Sequence, residues 1–131
     1  MQLKSFFPAL LWLIAITFLS VSSNVPMPKM NFFSPDKLAH AGSYALLTWL
    51  LIRGISKSKN SPVSRRELLL VFCFAAGYGA FMEWVQGTFF PNRSFEYYDM
   101  FANAAGAFFV AMFYRLFAGG RQSRSSNDTS N

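Results

Sequence analysis

The sequence has a single cysteine, and only 14% of its 131 residues are charged. A lone Cys73 excludes an intramolecular disulfide, and within an apolar segment such a thiol behaves as a small apolar side chain. The sequence also lacks a glycine-rich phosphate loop with a lysine, a serine-nucleophile motif and an internal repeat. The charged fraction is well below the ~25% of an average soluble domain. These absences argue against a P-loop nucleotide-binding protein, a serine hydrolase and a repeat protein. The low charged fraction argues against an ordinary soluble domain.

Long apolar blocks take up most of the chain instead. The composition is 53% hydrophobic, and four blocks cover residues 6–21, 38–52, 68–85 and 100–118. Each block approaches the ~20 residues that a helix needs to cross a ~30 Å hydrocarbon core. Blocks this continuous lack the alternation of a barrel strand, so helices are the expected spanning form.

The sequence therefore predicts an all-α fold, a four-helix transmembrane bundle in a single domain that covers residues 1–118. The predicted helices cover about 6–23, 35–55, 67–87 and 96–118. The small polar residues after 118 predict a disordered cytoplasmic tail over 119–131.

The first block also fits a cleavable signal peptide, because Lys4 precedes a short apolar core and the small residues "SVSS" follow it. We favour a retained first helix, since the block is long, contains Trp12 and is followed by a second hydrophobic segment. A mature N-terminus near Ser23 would contradict this prediction.

The basic residues predict how the bundle is oriented. The net charge is +6, and nine of the twelve basic residues lie near the N-terminus, in the second loop, or from the last turn of the fourth block onward. The other two loops hold only Lys29, Lys37 and Arg93. By the positive-inside rule both termini and the second loop are cytoplasmic, an N-in/C-in topology. The positive charge is thus an orientation signal, and no nucleic-acid partner is expected.

Polar residues inside the apolar blocks gather at the extracytoplasmic ends of helices 2–4. Asp36, His40 and Tyr44 recur every four residues and so share one face of helix two. Helix three contributes Glu83 and Gln86, and helix four contributes Asp99 and Asn103 in its first two turns. Arg93 and Ser94 directly precede helix four. Small residues in "HAGS", "AAGYGA" and "ANAAGA" would let the helices approach closely. The sequence therefore predicts one polar pocket that opens outward.

Ionisable side chains within spans are costly, so they are functional hypotheses by default. Anion binding would use Arg93 and the start of helix four, capped by Ser94. Acid–base chemistry would pair His40 with Glu83 or Asp99. The His and the carboxylates could also bind a metal, but their pattern matches no metal signature. We therefore predict no metal ligand and assign no cofactor.

The same residues allow a purely structural interpretation. Arg93 is a natural counter-ion for Glu83 or Asp99, and a buried ion-pair network can do no more than fix helix register. Lys37 alone can extend to the headgroups, and His40 alone can be a packing histidine. A proton-coupled transporter is disfavoured, because the inner halves of the helices offer no polar path.

Two stretches, "DKLAHAGSYALL" (36–47) and "EWVQGTFFPNRSFEYYDMFANAAGA" (83–107), resemble the VanZ-like family of small bacterial membrane proteins. The family pattern is Asp-Lys-x-x-His-x-x-x-Tyr, then Glu-x-x-Gln, a Pro near an Arg, and Asp-x-x-x-Asn-x-x-Gly. The matching positions are Asp36, Lys37, His40, Tyr44, Glu83, Gln86, Pro91, Arg93, Asp99, Asn103 and Gly106. The resemblance covers roughly residues 34–112. It departs from the family at Ala41, where an aromatic residue is common, and at Val110, where a second glycine often stands.

The resemblance implies a multi-pass protein of the bacterial inner membrane, in contact with membrane lipids, and an envelope role linked to teicoplanin resistance. It supplies no reaction, so whether the protein is an enzyme stays open. We expect the pocket to bind or modify an anionic lipid-linked or cell-wall component. The candidate catalytic residues are His40, Glu83 and Asp99, and the candidate binding residues are Asp36, Lys37, Tyr44, Gln86, Arg93, Ser94 and Asn103. The alternative is a non-enzymatic structural or partner-binding membrane protein. No oligomeric state is predicted.

Overall fold

The structure, a computed structural model, describes residues 2–22, 35–90 and 95–128. Within these ranges it describes the side chains of all residues except 35, 36 and 119–128. The described chain is all-helical, as the sequence predicts. A short 3-10 turn, Leu3–Phe6, leads into α1 (Phe7–Ser22), and α2 (Pro35–Lys59), α3 (Arg65–Phe89) and α4 (Tyr97–Asp128) follow.

Three helical segments are long and apolar enough to cross a membrane: Leu3–Ser22, Arg65–Phe89 and Tyr97–Ala118. Among the described helices, α2 has the length, at 25 residues, but not the hydropathy. Its apolar side chains are interrupted by polar ones at His40, Tyr44 and Thr48. Length and composition thus support three of the four predicted spans. That α2 crosses the membrane stays a prediction.

The distribution of polar and apolar side chains is the reverse of that in a soluble protein. Glu83 is 3% exposed and Asn103 only 1%, whereas Phe109 on the same helix as Asn103 is 68% exposed. Large apolar side chains are exposed on all four helices, and water-soluble monomers rarely expose contiguous apolar surface of this extent. Buried polar groups inside an apolar exterior are the arrangement expected of a membrane protein.

The helices alternate in direction. Near the N-terminus, the Gln2 amide donates to Ser58 Oγ at the end of α2 (3.0 Å). At the other end of the bundle, Gln86 Nε2 near the end of α3 donates to the Ser20 carbonyl near the end of α1 (2.8 Å). The starts of α2 and α4 meet at this second end, where Lys37 faces Asp99. The four helices therefore run up, down, up and down, and α2 is parallel to α4.

The α2–α4 contact is the most extensive in the fold. It depends on Gly106, because a Cβ atom at this position would lie 2.1 Å from the Ala41 carbonyl oxygen. The core beside this contact contains Tyr44, Leu47 and Ala107, all nearly inaccessible to solvent. Gly106 thus sets how closely α2 and α4, which carry most of the polar groups, approach each other.

The ends of α3 and α4 have identifiable local causes. Ser64 caps α3: its hydroxyl accepts from the Glu67 amide, and the Glu67 carboxylate accepts from the Ser64 amide. At the other extreme, α4 ends at Asp128, whereas the sequence predicts a helix end near 118 and a disordered tail from 119. The backbone over 119–128 is helical; no proline interrupts it, so no backbone donor is lost there.

Candidate functional site

Side chains from α2, α3 and α4 meet at the end of the bundle where α2 and α4 begin. We call this set the polar cluster. It consists of Lys37 and His40 on α2, Glu83 on α3, Glu96 immediately before α4, and Asp99 and Asn103 on α4. Of the three candidate catalytic residues, Glu83 and Asp99 are buried and His40 is partly exposed.

The three candidate catalytic residues come together although each lies on a different helix. His40, Glu83 and Asp99 each offer a donor atom, and these atoms all lie within 4.8 Å of one another. His40 Nε2 lies 4.0 Å from Glu83 Oε1. The other Glu83 oxygen, Oε2, accepts a hydrogen bond from the Glu96 backbone amide at 3.4 Å. The Glu83 carboxylate therefore contacts both α2 and the residue before α4.

Lys37 is the described cation of the polar cluster. Its ammonium group lies 3.5 Å from Asp99 Oδ1 and 3.7 Å from Glu96 Oε2, and its side chain is only 11% exposed. The same ammonium lies 6.0 Å from the centre of the Tyr98 ring. Lys37 therefore bridges two acids of α4 from α2 and does not extend freely to headgroups.

Asn103 lies one turn beyond Asp99 on α4, against the α3 backbone. A Cβ atom at Gly79 would lie 2.9 Å from the Asn103 amide nitrogen, so this glycine makes room for the amide. The Asn103 oxygen is buried and accepts no hydrogen bond within the described part of the chain. Asp99 Oδ1 likewise has no hydrogen-bond donor there, since 3.5 Å to Lys37 is an ion-pair distance and too long for a good hydrogen bond.

Two predicted binding residues have roles other than lining the polar cluster. Gln86 donates its amide to the Ser20 carbonyl of α1, so it joins α3 to α1. Tyr44 is 2% exposed and packs in the apolar core with Ile16 and Leu47. Both lie next to the cluster along their helices. The described bond of Gln86 fastens α3 to α1, whereas Tyr44 packs in the core and also interacts electrostatically with Glu83 of the cluster.

Glu96 is a site residue that the sequence analysis did not single out. It lies three residues before Asp99, directly before the first turn of α4, where an acid is favourable beside the helix dipole. That position was the available signal. Its pairing with Lys37 depends on how α2 and α4 are juxtaposed, and no local pattern contains that information.

Three of the predicted binding residues, and one further residue of the family pattern, cannot be compared with the structure. Arg93 and Ser94, with Pro91 of the family pattern, lie outside the described residues, and so does the side chain of Asp36. The predicted anion site at Arg93 and Ser94 therefore stays a prediction.

The described side chains of the polar cluster carry an excess of negative charge. Glu83, Glu96 and Asp99 are three carboxylates, the described cation facing them is Lys37, and the His40 imidazole lies beside Glu83. Buried charges without opposite charges are costly in a low-dielectric interior. The arrangement thus suits proton exchange through His40, or the binding of a further positive charge, better than it suits an anion lodged among the carboxylates.

Comparison with protein-family models, with curated proteins and with solved structures yields no match to this chain. The VanZ-like resemblance therefore stays an expectation from the quoted motifs.

Proposed function

We propose that the chain is a VanZ-like integral membrane protein of the bacterial cell envelope. Four helices would span the inner membrane with both termini in the cytoplasm. Three apolar helices support the membrane location. The basic residues at the α2–α3 turn support the orientation, because Lys57, Lys59, Arg65 and Arg66 all lie at the end of the bundle away from the polar cluster.

In this orientation the polar cluster faces outward, and its function would be to bind or modify an anionic lipid-linked or cell-wall component. The observation that carries this proposal is the convergence of His40, Glu83 and Asp99, with donor atoms within 4.8 Å, from three helices of an otherwise apolar bundle. Such a cluster is costly to insert into a membrane, and for that reason ionisable residues within spans are functional-site hypotheses by default.

The chemistry would be divided between two sides of the cluster. Arg93 in the preceding loop would hold the anionic group, because Lys37 is already paired with Glu96 and Asp99 and the carboxylates repel an anion. His40 would exchange protons with the bound component, since its Nε2 lies 4.0 Å from Glu83 Oε1. Asp99 would orient Lys37 across the α2–α4 contact.

The test is glycopeptide susceptibility in a sensitive bacterial host that expresses the wild-type chain, His40→Ala or Arg93→Ala. We expect the wild type to raise the inhibitory concentration of teicoplanin more than that of vancomycin. We expect either substitution to abolish this protection at equal membrane abundance, which is blotted in parallel. Glu67→Gln, at the opposite end of the bundle, is the matched control and should protect like the wild type.

A wild-type chain that is abundant in the membrane but gives no protection would remove the link to glycopeptides. Full protection by both variants would show that the polar cluster is not the functional site.

The non-enzymatic alternative also has a specific observation in its favour. Lys37 joins α2 to α4 through Glu96 and Asp99, and Glu83 joins α3 to the Glu96 amide. If the polar cluster only fastens helices, His40→Ala should lower thermal stability in detergent and membrane abundance together with any activity. A variant that is inactive but equally stable and abundant would contradict this alternative.

A further inference from the structure

We propose that His40, Glu83 and Asp99 form a binding site for a divalent first-row transition-metal ion of the Zn²⁺ type, with the Asn103 side-chain oxygen as a further ligand. This site uses the same three residues as the proposed function, and while the ion is bound His40 is a ligand and does not exchange protons at that nitrogen. Metal binding is measured directly, so its outcome is distinct from that of the glycopeptide test. The sequence alone assigns no metal, since the three residues lie on three helices and match no local ligand spacing. Their proximity exists only in the folded chain.

The donor set suits such an ion. One imidazole nitrogen and two carboxylates are ligands that Zn²⁺ and similar ions accept, and Asn103 stands one helical turn beyond Asp99. The described donors lie within 4.8 Å of one another, and His40 Nε2 is 4.0 Å from Glu83 Oε1. With metal–ligand bonds of about 2.1 Å, ligand atoms in a tetrahedral shell lie roughly 3.4 Å apart. The side chains therefore need to draw together by about an ångström, which carboxylate rotation can supply.

Charge supports a cation at this point. One divalent ion would balance the two negative charges of Glu83 and Asp99, with His40 as a neutral ligand. It would thereby offset the repulsion between the two carboxylates, which is costly in an apolar bundle. Lys37 does not need to be displaced from the cluster. Its ammonium lies between Asp99 and Glu96, so Glu96 can keep it at 3.7 Å when Asp99 turns toward the metal.

A second observation points to a ligand independently of the three residues. The Asn103 side-chain oxygen belongs to a residue that is 99% buried, and it accepts no hydrogen bond within the described residues. Asn103 lies one turn from Asp99 on the same helix face, and its amide nitrogen is held against Gly79, one turn from Glu83. A buried acceptor without a donor is destabilising, and a metal ion would satisfy it.

The experiment uses the full chain in detergent, purified through a tag without histidine and freed of metal by chelation. Zn²⁺ is titrated, with Co²⁺ as an optical probe of an N/O ligand set. We expect one ion per chain, and we expect His40→Ala and Asp99→Asn to weaken binding by more than the ~10–100-fold typical of residues that only support a ligand. Glu67→Gln, which removes a carboxylate outside the cluster, should bind Zn²⁺ like the wild type.

A second readout needs no variant, because His40 is the one histidine of the chain. Zn²⁺ should protect it from acylation by diethyl pyrocarbonate, as measured by mass spectrometry of the wild type. A helical, folded wild type that takes up no Zn²⁺ would overturn the proposal. So would binding that is equal in all variants, or modification of His40 at the same rate with and without Zn²⁺.

Discussion

At the scale of the residue, Gly106 is the glycine with the least room for a side chain among the glycines up to residue 106, all of which the structure describes. A Cβ there would lie 2.1 Å from the Ala41 carbonyl oxygen and 2.9 Å from the carbonyl carbon. Both are backbone atoms, which cannot rotate away as a side chain can. An added methyl group would therefore push α2 and α4 apart and disturb the contact on which the polar cluster is assembled.

We expect Gly106→Ala to lower the free energy of unfolding by about 1–3 kcal/mol, the usual cost of overpacking. Gly77→Ala is the matched control, because a Cβ at Gly77 meets nothing within 4 Å. There the better helix propensity of alanine should raise stability by about 0.5–1 kcal/mol. Thermal unfolding in detergent measures both; a Gly106→Ala chain as stable as the wild type would contradict the close contact.

At the scale of the element, α1 differs from the other helices in how it is attached. Only Ala9 and Ile16 of its residues are buried. Three polar contacts hold it to the bundle: Trp12 Nε1 donates to the Ser43 carbonyl (2.9 Å), Gln86 donates to the Ser20 carbonyl, and the Thr17 and Tyr78 hydroxyls share a hydrogen bond. In an apolar environment such contacts contribute more to helix position than apolar packing against lipid does.

Trp12→Phe should therefore loosen α1 while it keeps the ring. Loss of one hydrogen bond of about 1 kcal/mol corresponds to roughly fivefold faster opening, which hydrogen exchange of the α1 amides would detect. Trp84→Phe is the control, because Trp84 is 51% exposed and its ring contacts with Phe81 and Phe89 are ones that phenylalanine can keep. Equal exchange in the two variants would mean that the indole bond does not hold α1.

At the scale of the whole molecule, the alternating helices put two chemically different ends on one bundle. One end has the α2–α3 turn, where Lys59 pairs with Glu67 at 2.7 Å, and the other has the polar cluster. The proposed orientation places the first end in the cytoplasm and the second outside.

Cysteine labelling in intact cells tests this orientation. In a Cys73→Ser background, Thr88→Cys near the polar cluster should react with a membrane-impermeant maleimide. Ser61→Cys in the α2–α3 turn should react only after permeabilisation. Both positions are exposed in the structure. The reverse pattern would show that the cluster faces the cytoplasm, and labelling of both from outside would mean that α3 does not span.

The polar cluster shows how far the sequence alone could reach. Four-residue spacing placed Asp36 and His40 near the start of one helix, and Asp99 and Asn103 near the start of another, because side-chain direction along a helix is local information. The sequence did not predict that Gln86 turns to α1 or that Glu96 pairs with Lys37. These contacts depend on the rotation and crossing of whole helices, which many small contacts decide together.

The sequence by itself determined that the chain is helical and rich in segments apolar enough to cross a membrane, and that its buried polar groups collect near one end of three helices. These properties follow from apolar run length and helical periodicity, which need no distant partner. Only the tertiary structure decided that His40, Glu83 and Asp99 come within reach of one another and that the Asn103 oxygen has no donor among the described residues. The reason is the close α2–α4 approach at Gly106, which brings together side chains separated by tens of residues.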